Sequence, residues 1–207
     1  MRVVGVTGTI GAGKSTVLRW LEALGARTVD ADGVVHRLYE SDADLQERLG
    51  RRFGPQVVAG GRVDRPALRR ALSAEGALPD LEAIVHPAVA RARDALLAAA
   101  RADAVPVFAY EAIRLVESGT SAVCDELWVV TVPEAVQLAR LAARGVSEDE
   151  ARRRLAWQGT PAAWTAAFLE ESGRLGRPRP VIVVDNGGTA EQGRAQVTRL
   201  WSGILAI

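Results

Sequence analysis

The stretch Gly8-Thr9-Ile10-Gly11-Ala12-Gly13-Lys14-Ser15 decides how this chain is read. It matches the phosphate-binding pattern GxxxxGK[ST] in full, and ordinary residue frequencies would produce that pattern by chance in a chain of this size less than ~1% of the time. Lys14 is also the only lysine in 207 residues; the other strongly basic side chains are all arginine. Lysine therefore stands at the one place where a compact ammonium must reach between phosphates. On one flank, Arg2 to Thr7 reads as a short buried strand. On the other, Ser15 to Leu24 carries Val17, Leu18, Leu21 and Leu24 at helical spacing. Strand, glycine loop and helix form the context the motif requires. Gly8, Gly11 and Gly13 can take positive φ and bring backbone N–H groups close to phosphate oxygens. The helix N-terminus adds partial positive charge. Residues Gly8, Thr9, Ile10, Gly11, Ala12, Gly13, Lys14, Ser15 and Thr16 then form a cradle for the phosphates of a nucleotide, with Lys14 bridging the β- and γ-phosphates and Ser15 ligating Mg²⁺.

Working outward, further apolar runs occur at Arg27 to Asp30, Val105 to Tyr110, Leu127 to Val132 and Val181 to Val184, separated by helical segments. Strands alternating with helices predict an α/β fold with a doubly wound, five-stranded parallel sheet. In such sheets the ligand crevice lies at the carboxyl ends of the strands. Asp30-Ala31-Asp32 follows the second strand there: one of these carboxylates can cap the next helix, Gly33 to Tyr39, while another shares the metal or accepts a proton from a hydroxyl. Residues 62 to 101 are helical and arginine-rich, with a break near Gly76 to Pro79 and an interruption at His86-Pro87. Their arginines, Arg65 and Arg69 among them, suit either a solvated face or a second phosphorylated substrate.

Residues 134 to 158 predict a helical hairpin. Arg140 and Arg144 share one helical face, Gly145 ends the first helix, and Ser147-Glu148-Asp149-Glu150 is a capping-box pattern that starts the second. Such a hairpin suits a phosphoryl-transfer lid, or a plain surface pair. Trp164, Ala167 and Phe168 predict a short amphipathic helix, followed by an irregular, positively charged loop from Gly173 to Pro180. Asp185-Asn186-Gly187-Gly188 closes the last strand and contains the chain's only asparagine, fitting a turn or a place beside a nucleotide base.

Composition bounds the rest. The length suits one sizeable α/β domain. A net charge of +1 gives no electrostatic reason to expect nucleic acid or a membrane surface as partner. Cys124 is the only cysteine, so no internal disulfide forms, which fits a reducing cytoplasm. The N-terminus runs straight into the first strand without a signal peptide, and no run approaches 18 apolar residues.

Taken in order, the segments G-T-I-G-A-G-K-S-T, V-D-A-D-G-V-V-H-R at 29 to 37, R-V-D-R-P-A-L-R at 62 to 69 and L-E-A-I-V-H-P at 81 to 87 resemble the dephospho-CoA kinase family of P-loop nucleotide kinases. E-S-G at 117 to 119, V-P-E-A-V-Q-L-A-R-L at 132 to 141 and V-D-N at 184 to 186 extend the resemblance over nearly the whole chain. It implies a cytoplasmic, ATP- and Mg²⁺-dependent enzyme that phosphorylates the ribose 3′-hydroxyl of dephospho-CoA, the last step of CoA biosynthesis. It also implies a single P-loop kinase domain over 1–207, with a core at about 1–35, 102–132 and 181–207, a helical CoA-binding insertion at about 36–101 and a lid at about 134–160. By the same resemblance Asp32 is the base, Lys14 and Arg140 stabilise the transferred group with help from Arg144, and Asn186 lies at the adenine. Arg65, Arg69, His86, Pro87 and Glu117 would meet the acceptor, and Glu111 rivals Glu117 for a place near Mg²⁺.

The chain departs from that family's usual pattern in four places. Thr9 stands where a second glycine is usual, and Ile113-Arg114-Leu115-Val116-Glu117 replaces a Pro-Leu-Leu-Phe-Glu run. The segment after Gln158 is longer, and Arg179-Pro180 replaces Ala-Asp. The alternative function is a P-loop kinase of another small-molecule hydroxyl. A GTPase switch is excluded in its usual form, because Asn-Lys-x-Asp cannot exist where the only lysine is Lys14. A silent nucleotide-binding regulator is disfavoured by the intact Lys14, Ser15 and Asp32.

Overall fold

The computed structural model describes residues 1–73 and 76–206. Among the described residues the strands are β1 (Arg2–Thr7), β2 (Arg27–Asp30), β3 (Val58–Ala59), β4 (Arg62–Val63), β5 (Val107–Glu111), β6 (Glu126–Thr131) and β7 (Val181–Asp185). The helices are α1 (Lys14–Ala23), α2 (Ala31–Ser41), α3 (Ala43–Phe53), α4 (Arg65–Ala71), α5 (Ala77–Ala102), α6 (Glu134–Ala142), α7 (Glu148–Trp157), α8 (Pro161–Arg174) and α9 (Ala190–Leu205). The chain divides into two compact units, residues 1–29 with 100–207, and residues 30–99.

The first unit is built on the five-stranded sheet, in the order β2-β5-β1-β6-β7, with β1 parallel to both β5 and β6 and β6 parallel to β7. The strand after β1 lies to one side of it, while the strand after β6 lies to the other. This divergence opens the crevice at the carboxyl ends of β1 and β6, where the glycine loop sits. Period-two alternation sends Val4 and Val6 of β1 into a core with Val17, Leu18 and Leu21 of α1, Trp128 and Val130 of β6, and Val197, Trp201 and Ile204 of α9. On the opposite face a Cβ at Gly5 would collide with Leu115 and Cys124, so glycine permits the close packing there. Trp164 and Phe168 of α8 are fully buried, as the i, i+4 spacing predicts, and the helix extends over 14 residues.

The second unit has its own core, in which Leu45, Leu49 and Phe53 line one face of α3 against Val57, Val63, Leu68, Val85 and Ala88. β3 and β4 form an antiparallel hairpin across Gly60-Gly61, whose φ values of 57° and 72° suit a two-residue primed turn. The expected interruption at His86-Pro87 is corrected: α5 runs unbroken for 26 residues with Pro87 inside it. Pro87 forfeits one backbone hydrogen bond, but Val85 and Ala88 on either side of it are buried in the unit's core, and that packing holds the helix through the gap.

Candidate active site

The phosphate loop leaves β1 at Gly8 and enters α1 at Lys14. Gly11 and Gly13 have φ of 80° and 93°, as the cradle requires. A Cβ at Gly8 would strike the Val130 carbonyl of β6, so the loop lies hard against the neighbouring strand. Lys14 is 9% exposed. Its Nζ donates to Gly8 O at 2.9 Å and Thr9 O at 3.4 Å, and it lies 3.5 Å from the Glu111 carboxylate at the end of β5. Ser15, next to it in the first turn of α1, is exposed.

Among the described residues, four side chains from beyond the loop fasten it. Gln137 Nε2 donates to Thr9 Oγ1 at 2.6 Å and to the Ile10 carbonyl. Gln158 Oε1, just past α7, accepts from Ile10 N at 2.8 Å. Asn186 Nδ2 donates to Ala12 O at 2.7 Å. Arg140 donates to Asn186 O at 2.8 Å and to Ala12 O at 3.4 Å. Lys14, Arg140 and Asn186 are thus brought to one loop, together with Gln137 and Gln158, to which sequence reasoning gave no role. The available signal was Gln137, three residues before Arg140 and so on the same face of α6.

Of the two glutamates, Glu111 is the one beside Lys14, whereas Glu117 accepts from Trp164 Nε1 at 2.8 Å. Arg144 corrects the expectation that it shares a helical face with Arg140: α6 stops at Ala142, and Arg144 is exposed in the turn that Gly145 closes at φ 78°. The capping box at α7 is half made. Ser147 accepts from Glu150 N, but the Glu150 carboxylate is taken by Arg153 and Arg154.

Within the second unit the aspartate pair divides clearly. Asp30 caps α2, its two oxygens accepting from Asp32 N at 3.0 Å and Gly33 N at 3.2 Å. The Asp32 side chain stands exposed in the first turn. Arg65 and Arg69 lie at the two ends of α4, both exposed, as are His86 and Pro87 on α5. Burial pushes the Tyr39 phenol up from its usual range, and the nearby Arg65 guanidinium opposes that shift.

The family model and the curated relatives agree on one family. The family model for dephospho-CoA kinase matches residues 2–174. The dephospho-CoA kinase of Symbiobacterium thermophilum is 40% identical over 204 residues, covering 97% of this chain and 80% of its own. That of Geobacter metallireducens is 38% identical over 207 residues, covering 97% and 96%. Among solved structures, TT1252 from Thermus thermophilus superposes with a TM-score of 0.74 at 31% identity, covering 98% of this chain and 97% of that one. The dephospho-CoA kinase from Campylobacter jejuni shares the fold at a TM-score of 0.67 and 20% identity, covering 100% and 98%.

Proposed function

The chain belongs to the dephospho-CoA kinase family, and from that membership we propose that it transfers the γ-phosphoryl group of ATP to the ribose 3′-hydroxyl of dephospho-CoA, yielding CoA and ADP in the cytoplasm. The observation that carries the reading is the formed phosphate loop, with buried Lys14 at its centre, in a chain whose likeness to that family runs nearly from end to end.

In the reaction the 3′-oxygen attacks the γ-phosphorus, the bond from that phosphorus to the ADP oxygen breaks, and the hydroxyl proton leaves to a base. We assign the base to Asp32, whose exposed carboxylate is kept clear of capping by Asp30. Lys14 neutralises charge on the transferred group, and Arg140, already reaching the loop at Ala12 O, adds to this as the hairpin closes. The Ser15 hydroxyl, with the Glu111 carboxylate near the same lysine, offers the hard oxygen donors that Mg²⁺ prefers. When bound, Mg²⁺ supplies neutralisation of the triphosphate. Arg65, Arg69, His86, Pro87 and Glu117 are assigned to the acceptor, and the loop at Asn186 to the adenine of ATP.

A coupled ADP-release assay with ATP, Mg²⁺ and dephospho-CoA, run beside adenosine and AMP as competing acceptors, tests this. Turnover confined to dephospho-CoA is the expected result. Turnover only with another hydroxyl would keep the phosphate site and overturn the acceptor.

A further inference from the structure

Gln137 is 5% exposed and Asn186 6% exposed, and buried amides of this kind need partners. Both find them on the phosphate loop. In a trans peptide the C=O and the next N–H lie in one plane and point in opposite directions, so a bond that draws the carbonyl outward also aims the following N–H inward. The Ile10 carbonyl is drawn out by Gln137 Nε2, which turns the Gly11 N–H toward the other side. The Ala12 carbonyl is drawn out by Asn186 Nδ2, which does the same for the Gly13 N–H. Ahead of both, the Thr9–Ile10 plane is pinned at both ends, by Gln158 Oε1 on Ile10 N and by Ala12 N on Thr9 O at 3.1 Å.

The fit is close. A Cβ at Gly11 would stand 3.2 Å from Gln137 Cγ, and one at Gly13 would land on the Asn186 amide. Gly13 is therefore required for the Asn186 clamp to reach the loop, Gly11 gives the Gln137 clamp its clearance, and both serve the loop's positive φ values. Thr9 belongs to the same device. Gln137 Nε2 has two hydrogens, and the Thr9 hydroxyl takes the one that Ile10 O does not.

We propose that Gln137 and Asn186 are positioning residues that preset the peptide planes of the phosphate loop, so that the amides of Gly11 and Gly13 face the phosphates before ATP arrives. This rests on the reading of the loop as an ATP site but not on the identity of the acceptor. Preorganisation of this kind acts on the triphosphate, whose charge those amides meet, and leaves the acceptor's own contacts alone.

The test uses the near-isosteric variants Gln137→Glu and Asn186→Asp, which replace the donor by an acceptor. ATP affinity is measured directly by calorimetry in Mg²⁺, and both KM values are measured where turnover is found. The expected result is a loss of ATP affinity of about 2- to 13-fold, the worth of one such hydrogen bond, with KM for dephospho-CoA unchanged. If Gln137→Glu does not fold, Thr9→Val removes one acceptor of the same amide and is expected to weaken ATP by a smaller factor in the same direction. Unchanged ATP affinity in the folded variants, or equal loss on both substrates, overturns the proposal. A parent that binds ATP but ignores dephospho-CoA overturns the acceptor while leaving this result readable, and a parent that binds no ATP overturns both.

Discussion

Asp30 and Asp32 are chemically alike and two residues apart, yet the backbone gives them different surroundings. Asp30 has extended dihedrals just before α2 and both of its oxygens are engaged by helix N–H groups, whereas Asp32, inside the first turn, projects an exposed carboxylate. Replacing Asp32 by Asn keeps the shape and removes the proton acceptor. We expect kcat to fall by about 10²- to 10⁴-fold with ATP affinity nearly intact, measured by steady-state kinetics beside an ATP titration. A nearly unchanged kcat would remove Asp32 from the chemistry. The phosphate loop was legible in the sequence because its motif has a fixed local geometry. Which aspartate would cap was not, since it depends on where the helix starts by a single residue. Gln137 and Gln158 were missed for a different reason: they act on residues more than a hundred positions away, and apart from the spacing of Gln137 to Arg140 no local pattern marks a glutamine that will be buried against a loop.

The same contrast holds among the elements. Strands β1 and β2 fall on the residues that apolar patterning predicts, and β5, β6 and β7 within one or two of them, because a short apolar run between turns leaves a plain signal even at the half-exposed edges β2 and β7. β3 and β4, at two residues each, are too short to leave any periodicity; only Gly60-Gly61 marks them. The segment after α8, expected as an irregular charged loop, hides a buried cation. Arg179 is 3% exposed, with its guanidinium 4.1 Å over the Phe168 ring. It pairs with Glu171 at 2.8 Å and donates to Ser172 Oγ and to the carbonyls of Ser121 and Cys124. It thereby ties α8 and the turn before β6 to the start of β7. Arg179→Met preserves length but strands those acceptors, so a loss of about 3 kcal/mol is expected from urea unfolding, without change in the slope. An unaltered midpoint would show that the network contributes nothing net.

Across the whole molecule, stability should carry an acid-side signature from Glu126, a carboxyl 2% exposed at the start of β6. Burial pushes its pKa up, opposed by the bond from Trp128 Nε1 at 2.6 Å and by Arg2 at 3.9 Å, with Asp125 adding to the rise. The folded state therefore keeps a proton that the unfolded chain has released. This contribution is fully present below the ordinary carboxylate pKa and is lost as pH rises through the folded value. Glu126→Gln, neutral throughout, should gain on the parent as pH is raised from about 4 to about 8 in denaturant titrations. Parallel curves for the two proteins would contradict the assignment. A last consequence attaches to Lys14, the chain's one side-chain amine, folded against Gly8 O, Thr9 O and Glu111. Reductive methylation with carbon-13 formaldehyde would write a single side-chain resonance into the spectrum, beside that of the terminal amine, so the nucleotide cradle carries its own spectroscopic observer with no other lysine to obscure it.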